Sequence, residues 1–273
     1  MQNQRLLLFL LACVIFAVVS VSYYKVDDVV QDNNNIYFMS KEETMRFLQN
    51  DEDRYVASLS SSDLHARNVK TAQQYINRIM KDCRDITNIE KQKLQRCCQK
   101  ADEFLANHVY KGLNCREIAK IKWCIAATNT LYEEGFPHTR NNVIFLSNNN
   151  INKNVASDMD DGNIVNTLIH EKVHIYQRQH PQIVDEFLES IGYVKTNTTI
   201  NNKRANPDIT DTIYKSPYTG KEMYITYSSS TPTSITDVKG LRNYSEEHPY
   251  ESMAYDIANA YTSLELRSYK NIY

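Results

Sequence analysis

The chain has 273 residues, 42% hydrophobic and 23% charged, with a formal net charge of -2 and a sequence pI near 6.4. That length allows one large domain or two small ones, and the composition is that of an ordinary globular protein. The slightly acidic balance lacks the basic face that a nucleic-acid binder carries, so no nucleic-acid partner is expected.

The chain opens with Met1–Arg5 and then the uncharged run LLLFLLACVIFAVVSV over Leu6–Val21. The run is shorter than the roughly 20 residues of a spanning helix. It suits a secretory h-region, with Ser20 and Ser22 as small residues placed as at a cleavage site. Residues 1–22 are therefore expected to be an uncleaved signal anchor or a cleaved signal peptide. Either sends Lys25 onward across a membrane, as a single-pass protein with its bulk extracytoplasmic or as a secreted one. Runs at Asn33–Asn35, Asn148–Asn150 and Asn201–Asn202, with abundant Lys, Ile and Tyr, look like AT-rich coding bias. A low-GC protist or a large DNA virus would show it, and in the viral case the membrane would be that of virion or host. Residues 23–37 are polar and Asn-rich, and read as a linker.

Residues 38–134 read as helical. Ser40 with Glu43 forms a capping box. SSSDLHARNVKTAQQYINRIM offers a cap at Ser62 or Asp63 and apolar residues at helical spacing, and NIEKQKLQRCCQKADEFLANHVY and CREIAKIKWCIAATNTLY continue that spacing. A bundle of about four helices is expected, with Trp123 as a core residue in the last. Of six cysteines, Cys13 lies in the apolar run. Cys83, Cys97, Cys98, Cys115 and Cys124 allow two disulfides and one spare thiol, which fits an oxidising compartment. The absence of a CxxC pair disfavours a zinc cluster. Asn197 and Asn243 head glycosylation sequons, meaningful only in the secretory pathway.

The pattern changes over 135–273. Gly135 and Pro137 break the helix. Val143–Leu146 is a short β-type run, able in principle to pair with an extended peptide. A helix should run from about Ile164 to about Gln179. Thr196–Lys239 reads as loops with short antiparallel strands, and Pro249 opens a final helix. The expected fold class is α+β, predominantly helical: an N-terminal helical bundle packed on a catalytic region with a small antiparallel sheet.

The helix over 164–179 carries HEKVH. His170 and His174 lie on one face, able to hold one metal ion, with Glu171 beside them. Apolar neighbours on nearly every side make this a core helix, where unpaired polar groups are costly. Chance alone produces such a pattern in roughly one chain in a hundred of this composition. A catalytic zinc takes three protein ligands and leaves one place open. His180 would give the HExxHxxxxxH spacing, with Met253 as the Met-turn. However, Gln177 stands where a chain reversal needs Gly, and a continuing helix carries His180 about 9 Å along the axis and to another side. Asp185, Glu186 and Glu189 lie in an amphipathic segment whose acids should face solvent. Glu251 opens the last helix, with Ala254 and Ala258 on its face. Small residues there let two helices approach closely enough for a carboxylate to reach the metal. The plain alternative is a first-turn acid favouring the helix dipole.

HExxH on one helix and a glutamate on a later one resemble the gluzincin-type zincin metallopeptidases over residues 138–262. FPHTRNNVIFLS and EHPYESMAYDIA also look like pieces of zincin-like proteins. The resemblance implies His170, His174 and Glu251 as zinc ligands and Glu171 as general base. The span from His174 to Glu251 is longer than in thermolysin-like enzymes. The acid expected four residues after the glutamate ligand is Tyr255, with Asp256 one step on. Candidates to stabilise a transition-state oxyanion are Tyr255, His248, Tyr244 and His138. The implied activity is a membrane-tethered or secreted zinc metallopeptidase acting on a peptide or protein substrate. The alternatives are a catalytically silent zincin-fold surface module that binds metal, and a disulfide-bonded helical interaction protein with a chance motif.

Overall fold

The first helix begins where the capping signal puts it. In the computed structural model, which describes residues 35–151, 161–239 and 244–270, α1 (Lys41–Asn50) is N-capped by Ser40 with Glu43 completing the box. The next expected helix divides. Ser60, not Ser62 or Asp63, caps α2 (Ser61–Ala66), and Thr71 caps α3 (Ala72–Asp82). A longer helix follows, α4 (Asn88–Asn107), capped by Thr87 and Glu90.

Five short strands build a mixed sheet that the sequence did not announce in full. They are β1 (Ile36–Phe38), β2 (Cys83–Arg84), β5 (Trp123–Thr128), β6 (His138–Arg140) and β7 (Val143–Ser147); β3 (Val109–Tyr110) and β4 (Leu113–Asn114) form a separate hairpin. The order is β1-β5-β7-β6, with β2 antiparallel to β5. β1, β5 and β7 run parallel, and β6 returns antiparallel along β7. The helix expected through Trp123–Thr128 is thus a central strand, preceded by the single-turn helix α5 (Arg116–Ala119). The reason is two-sided burial. Ile125 and Ala127 face one hydrophobic cluster and Ala126 the other, so a continuous apolar run serves as a strand covered on both faces. Residues 36 and 37, expected as linker, belong to β1.

Period-two alternation assigns the layers. Ile125, Ala127, Ile144 and Leu146 point to a core shared with α4, α7 (Asp161–Gln179) and α9 (Pro249–Lys270). Ala126, Val143 and Phe145 point to α1 and α3 on the opposite side. Strands from both sides of position 135 therefore share one sheet. α6 (Asn148–Ile151) follows β7, and α8 (Pro181–Ser190) follows α7. β8 (Val194–Thr196), β9 (Ile213–Lys215) and β10 (Glu222–Met223) make the small antiparallel sheet expected there. The fold is α+β and predominantly helical.

Three expectations are corrected. Cys83, Cys97, Cys98, Cys115 and Cys124 are all free thiols, so the expected disulfides are absent among the described residues. Cys83 packs on one face of the sheet and Cys97, Cys98 and Cys115 on the other, where they act as small apolar side chains. Burial pushes the Cys97 thiol up to about 12 and Cys115 to about 11. The membrane-anchored or secreted placement is likewise not upheld: no helix among the described residues is long and apolar enough to cross a membrane. Residues 1–22 and the Asn243 sequon lie outside the described residues, while Asn197 is exposed. Finally, Val143–Ser147 cannot take up a peptide, because both its edges are already paired, with β5 and with β6.

α7 and α9 pack face to face. Ala254 and Ala258 are fully buried, and the Asn166 amide of α7 reaches the Ala258 carbonyl at 2.8 Å. Ala254→Leu inserts a branched side chain into that closed contact. It should lower stability by about 1–3 kcal/mol, read from denaturant unfolding.

Candidate metal centre

α7 is apolar on nearly every side, and its burial carries His170, Glu171 and His174 into the interior. Glu171 is 2% and His174 1% exposed. α9 enters beside it with Pro249 at its first position and Glu251 in its first turn. His170 Nε2 and His174 Nε2 lie 3.0 Å apart. Glu251 Oε2 is 3.4 Å from the first and 3.7 Å from the second. Ligands about 2.0–2.1 Å from a tetrahedral zinc sit roughly 3.4 Å from one another, so this triangle has the dimensions of three corners of such a site. It is the one group of three potential ligands that converges among the described residues.

The protonation pattern agrees with that use. The Tyr250 carbonyl can only accept, so the Gln177 Nε2 amide donates to it at 3.0 Å. That turns Gln177 Oε1 toward His174 Nδ1, 2.8 Å away. Nδ1 must then carry the proton, and the Nε2 lone pair faces His170 and Glu251. Asn206 does the same for the acid: its Nδ2 donates to Glu251 Oε1 at 2.8 Å and to Glu247 Oε2 at 3.1 Å. Glu247 in turn is paired with Arg204. Asp256 orients no ligand; it accepts from Tyr110 and pairs with Lys111 at the surface.

Glu171 shares the cavity with these ligands, and its buried Oε2 has no hydrogen-bond partner. Burial first, then the Asp208 and Glu251 charges, hold its carboxyl well above the usual range. Burial would also raise Glu251, but His174 and His170 hold it well below. His174 is raised: burial opposes its charge, and Asp208 and Glu251 outweigh that.

Of the other expected residues, His180 is not in the cluster; it sits between α7 and α8 with its ring against Tyr176. The reason is helical geometry, since α7 runs unbroken to Gln179. Met253 is a core residue inside α9 rather than part of a turn. Asp185 accepts from Tyr214 and Lys195, and Glu186 and Glu189 are exposed. Tyr255 lines the cavity edge-on to His170, with ring centres 4.5 Å apart, and burial raises its hydroxyl pKa. Tyr244 and His138 line it too. His248 does not face it: Nε2 donates to the Thr212 carbonyl at 3.2 Å, and Nδ1 accepts the Tyr250 N–H at 3.1 Å.

The edge of the sheet next to the site is closed. On β6, Asp208 accepts from the Thr139 N–H, and Arg178 donates to the Thr139 and Asn141 carbonyls. A third wall comes from a strained turn, with φ of 43° at Glu133, 53° at Glu134 and 80° at Gly135. Left-handed backbone costs about 1–2 kcal/mol per non-glycine residue. Here the Arg67 guanidinium and the Tyr75 hydroxyl hold Glu133 in place.

Reading the sequence missed Gln177 as a support, along with Asn206, Asp208 and the Arg204–Glu247 pair. Gln177 had a signal, a polar residue one turn beyond His174 in an apolar helix. RANPD at 204–208 had none. The chain matches no family model, no curated protein and no solved structure, so the geometry alone carries the interpretation.

Two outcomes are expected. Gln177→Leu releases the His174 ring and should weaken zinc binding about tenfold to a hundredfold by competition titration, with the fold intact. His248 must stay neutral, because a second ring proton would face the Tyr250 N–H; burial pushes it down to about 3. Its folded value lies below the unfolded value of about 6.5, so its contribution is complete above that pH and is lost on acidification. Thermal midpoints should therefore fall as the pH drops from about 6.5 toward about 3, and fall less steeply in His248→Gln.

Proposed function

We propose that the chain is a zinc-dependent metallopeptidase with His170, His174 and Glu251 as ligands and Glu171 as general base. The observation that carries this reading is the convergence of two imidazole nitrogens and a carboxylate oxygen on one point, beside a buried carboxylate that has an unpartnered oxygen. Two nitrogens and an oxygen at that spacing are a donor set zinc accepts. Bound there, zinc supplies an acidified water and polarises a carbonyl oxygen.

The residues of the chain do the rest. Gln177 and Asn206 hold His174 and Glu251 in register. Glu171 Oε2 is free to take a proton from the attacking water and pass it to the departing nitrogen. As the C–N bond breaks and the C–O bond forms, one water is consumed and a carboxylate and an amine leave. Tyr255 and Tyr244 flank the cavity where the oxyanion would develop. The closed edge of β6 favours a second reading, a silent module that binds metal without turnover, since strand pairing at Thr139 is not open to a peptide.

Metal analysis of the purified full chain separates these. The proposal expects bound zinc in the wild type, loss of zinc in Glu251→Gln and retention in His180→Ala. It also expects cleavage of a mixed peptide library that falls by at least about a hundredfold in Glu171→Gln while zinc is retained. Zinc without turnover in the wild type supports the silent module. No zinc, or equal cleavage by Glu171→Gln, overturns the proposal.

A further inference from the structure

His138 was one of four candidates to stabilise an oxyanion, and the structure gives it the opposite polarity. Its side chain is 3% exposed and lines the same cavity as His170 and Glu171. Nδ1 lies 3.0 Å from the Phe136 carbonyl, which can only accept, so Nδ1 carries the proton. Burial favours the neutral ring. Nε2 is therefore a bare lone pair. It is buried and has no hydrogen-bond partner among the described residues. The ring is clamped, stacked on Phe145 at 5.2 Å and edge-on to Tyr132 at 4.4 Å, so it is not free to turn the protonated nitrogen inward.

Buried polar atoms in folded proteins are almost always paired. Few described side-chain atoms here are orphaned, and two of them, His138 Nε2 and Glu171 Oε2, are on residues that line this one cavity. With Nδ1 protonated, His138 Nε2 can only accept, and a lone pair left unsatisfied beside a cavity suits a ligand that donates. Around them Phe136, Ile235, Tyr244 and Tyr255 supply apolar wall.

We propose that His138 Nε2 is a substrate-binding acceptor that receives an N–H of the bound ligand, either a peptide amide or a free amino terminus. This deepens the peptidase reading and rests on it for the identity of the ligand. It assigns His138 to binding rather than to oxyanion stabilisation. An oxyanion there would meet a lone pair and be repelled.

The test uses full-length, zinc-loaded Glu171→Gln chain, which should bind peptides without turning them over. Nitrogen-15 NMR of His138 should show Nδ1 protonated and Nε2 bare, with the Nε2 signal moving on addition of short mixed-sequence peptides. Adding His138→Phe, which keeps the ring stack, should weaken peptide binding about fivefold to tenfold, the effect of one neutral hydrogen bond. Loss for free and N-acetylated peptides alike identifies an amide donor; loss for free peptides alone identifies an amino terminus. In the catalytically intact chain, His138→Phe should raise KM by the same factor and leave kcat within twofold. A protonated Nε2, unchanged peptide affinity, no binding of either peptide, or a loss confined to kcat overturns the proposal. If the wild type cleaves nothing, the peptidase reading fails, and the binding arm still decides the role of His138.

Discussion

The site exists because α7 and α9 approach closely along a stripe of small residues. The distance between packed helices depends on the side chains between them, and the buried Ala254 and Ala258 keep bulk out of this contact. Asn166 marks the approach, with its amide on the Ala258 carbonyl at 2.8 Å and on the Thr262 hydroxyl at 3.0 Å. A glutamate side chain in the first turn of α9 can then reach two imidazoles on α7. A branched residue at either alanine would move the carboxylate off by more than the few tenths of an ångström that a ligand set tolerates. The same packing buries His174, Glu171 and Glu251, so the contact that creates the triangle also removes its members from water.

What the sequence made legible follows from what each pattern encodes. Capping boxes are local, so Ser40–Glu43 placed α1, and Pro249 placed the start of α9. HExxH is local too, and the small residues at 254 and 258 mark a close helix contact from a single segment. β5 was illegible because Trp123–Thr128 is apolar on both faces, and a run buried on both sides has no period to separate strand from helix. The supports were illegible for a different reason. Asn206, Asp208 and Arg204 come from an irregular segment and act on α9, β6 and Glu247, contacts that exist only after folding. Cysteine count misled because it counts residues and not distances; Cys83 and Cys124 pack on one face of the sheet and Cys97, Cys98 and Cys115 on the other, all as free thiols.

The arrangement of charge around the cavity sorts into two tiers. In the outer tier each acid has a cation of its own: Glu133 with Arg67, Glu247 with Arg204. Arg178, half-buried, directs its donors to Thr139, Asn141 and the Pro207 carbonyl. It thereby fixes the strand edge and the 206–208 loop against α7.

In the inner tier Glu171, Glu251 and Asp208 lie close together in a low dielectric, with the two imidazoles beside Glu251 and the Arg178 guanidinium acting on Glu171 and Asp208. The consequences are opposite shifts in neighbouring carboxyls: Glu251, between the imidazoles, is stabilised as an anion, while Glu171, facing Asp208 and Glu251, is pushed toward its neutral acid. Two carboxyls with environments that drive them apart would suit the proton transfer proposed for Glu171. A divalent cation held by the triangle would act on Glu171 in the opposite sense, because a nearby positive charge favours the carboxylate anion. Charge placement, ligand spacing and the fixed tautomer of His174 all support the cation proposed at the point where His170, His174 and Glu251 meet.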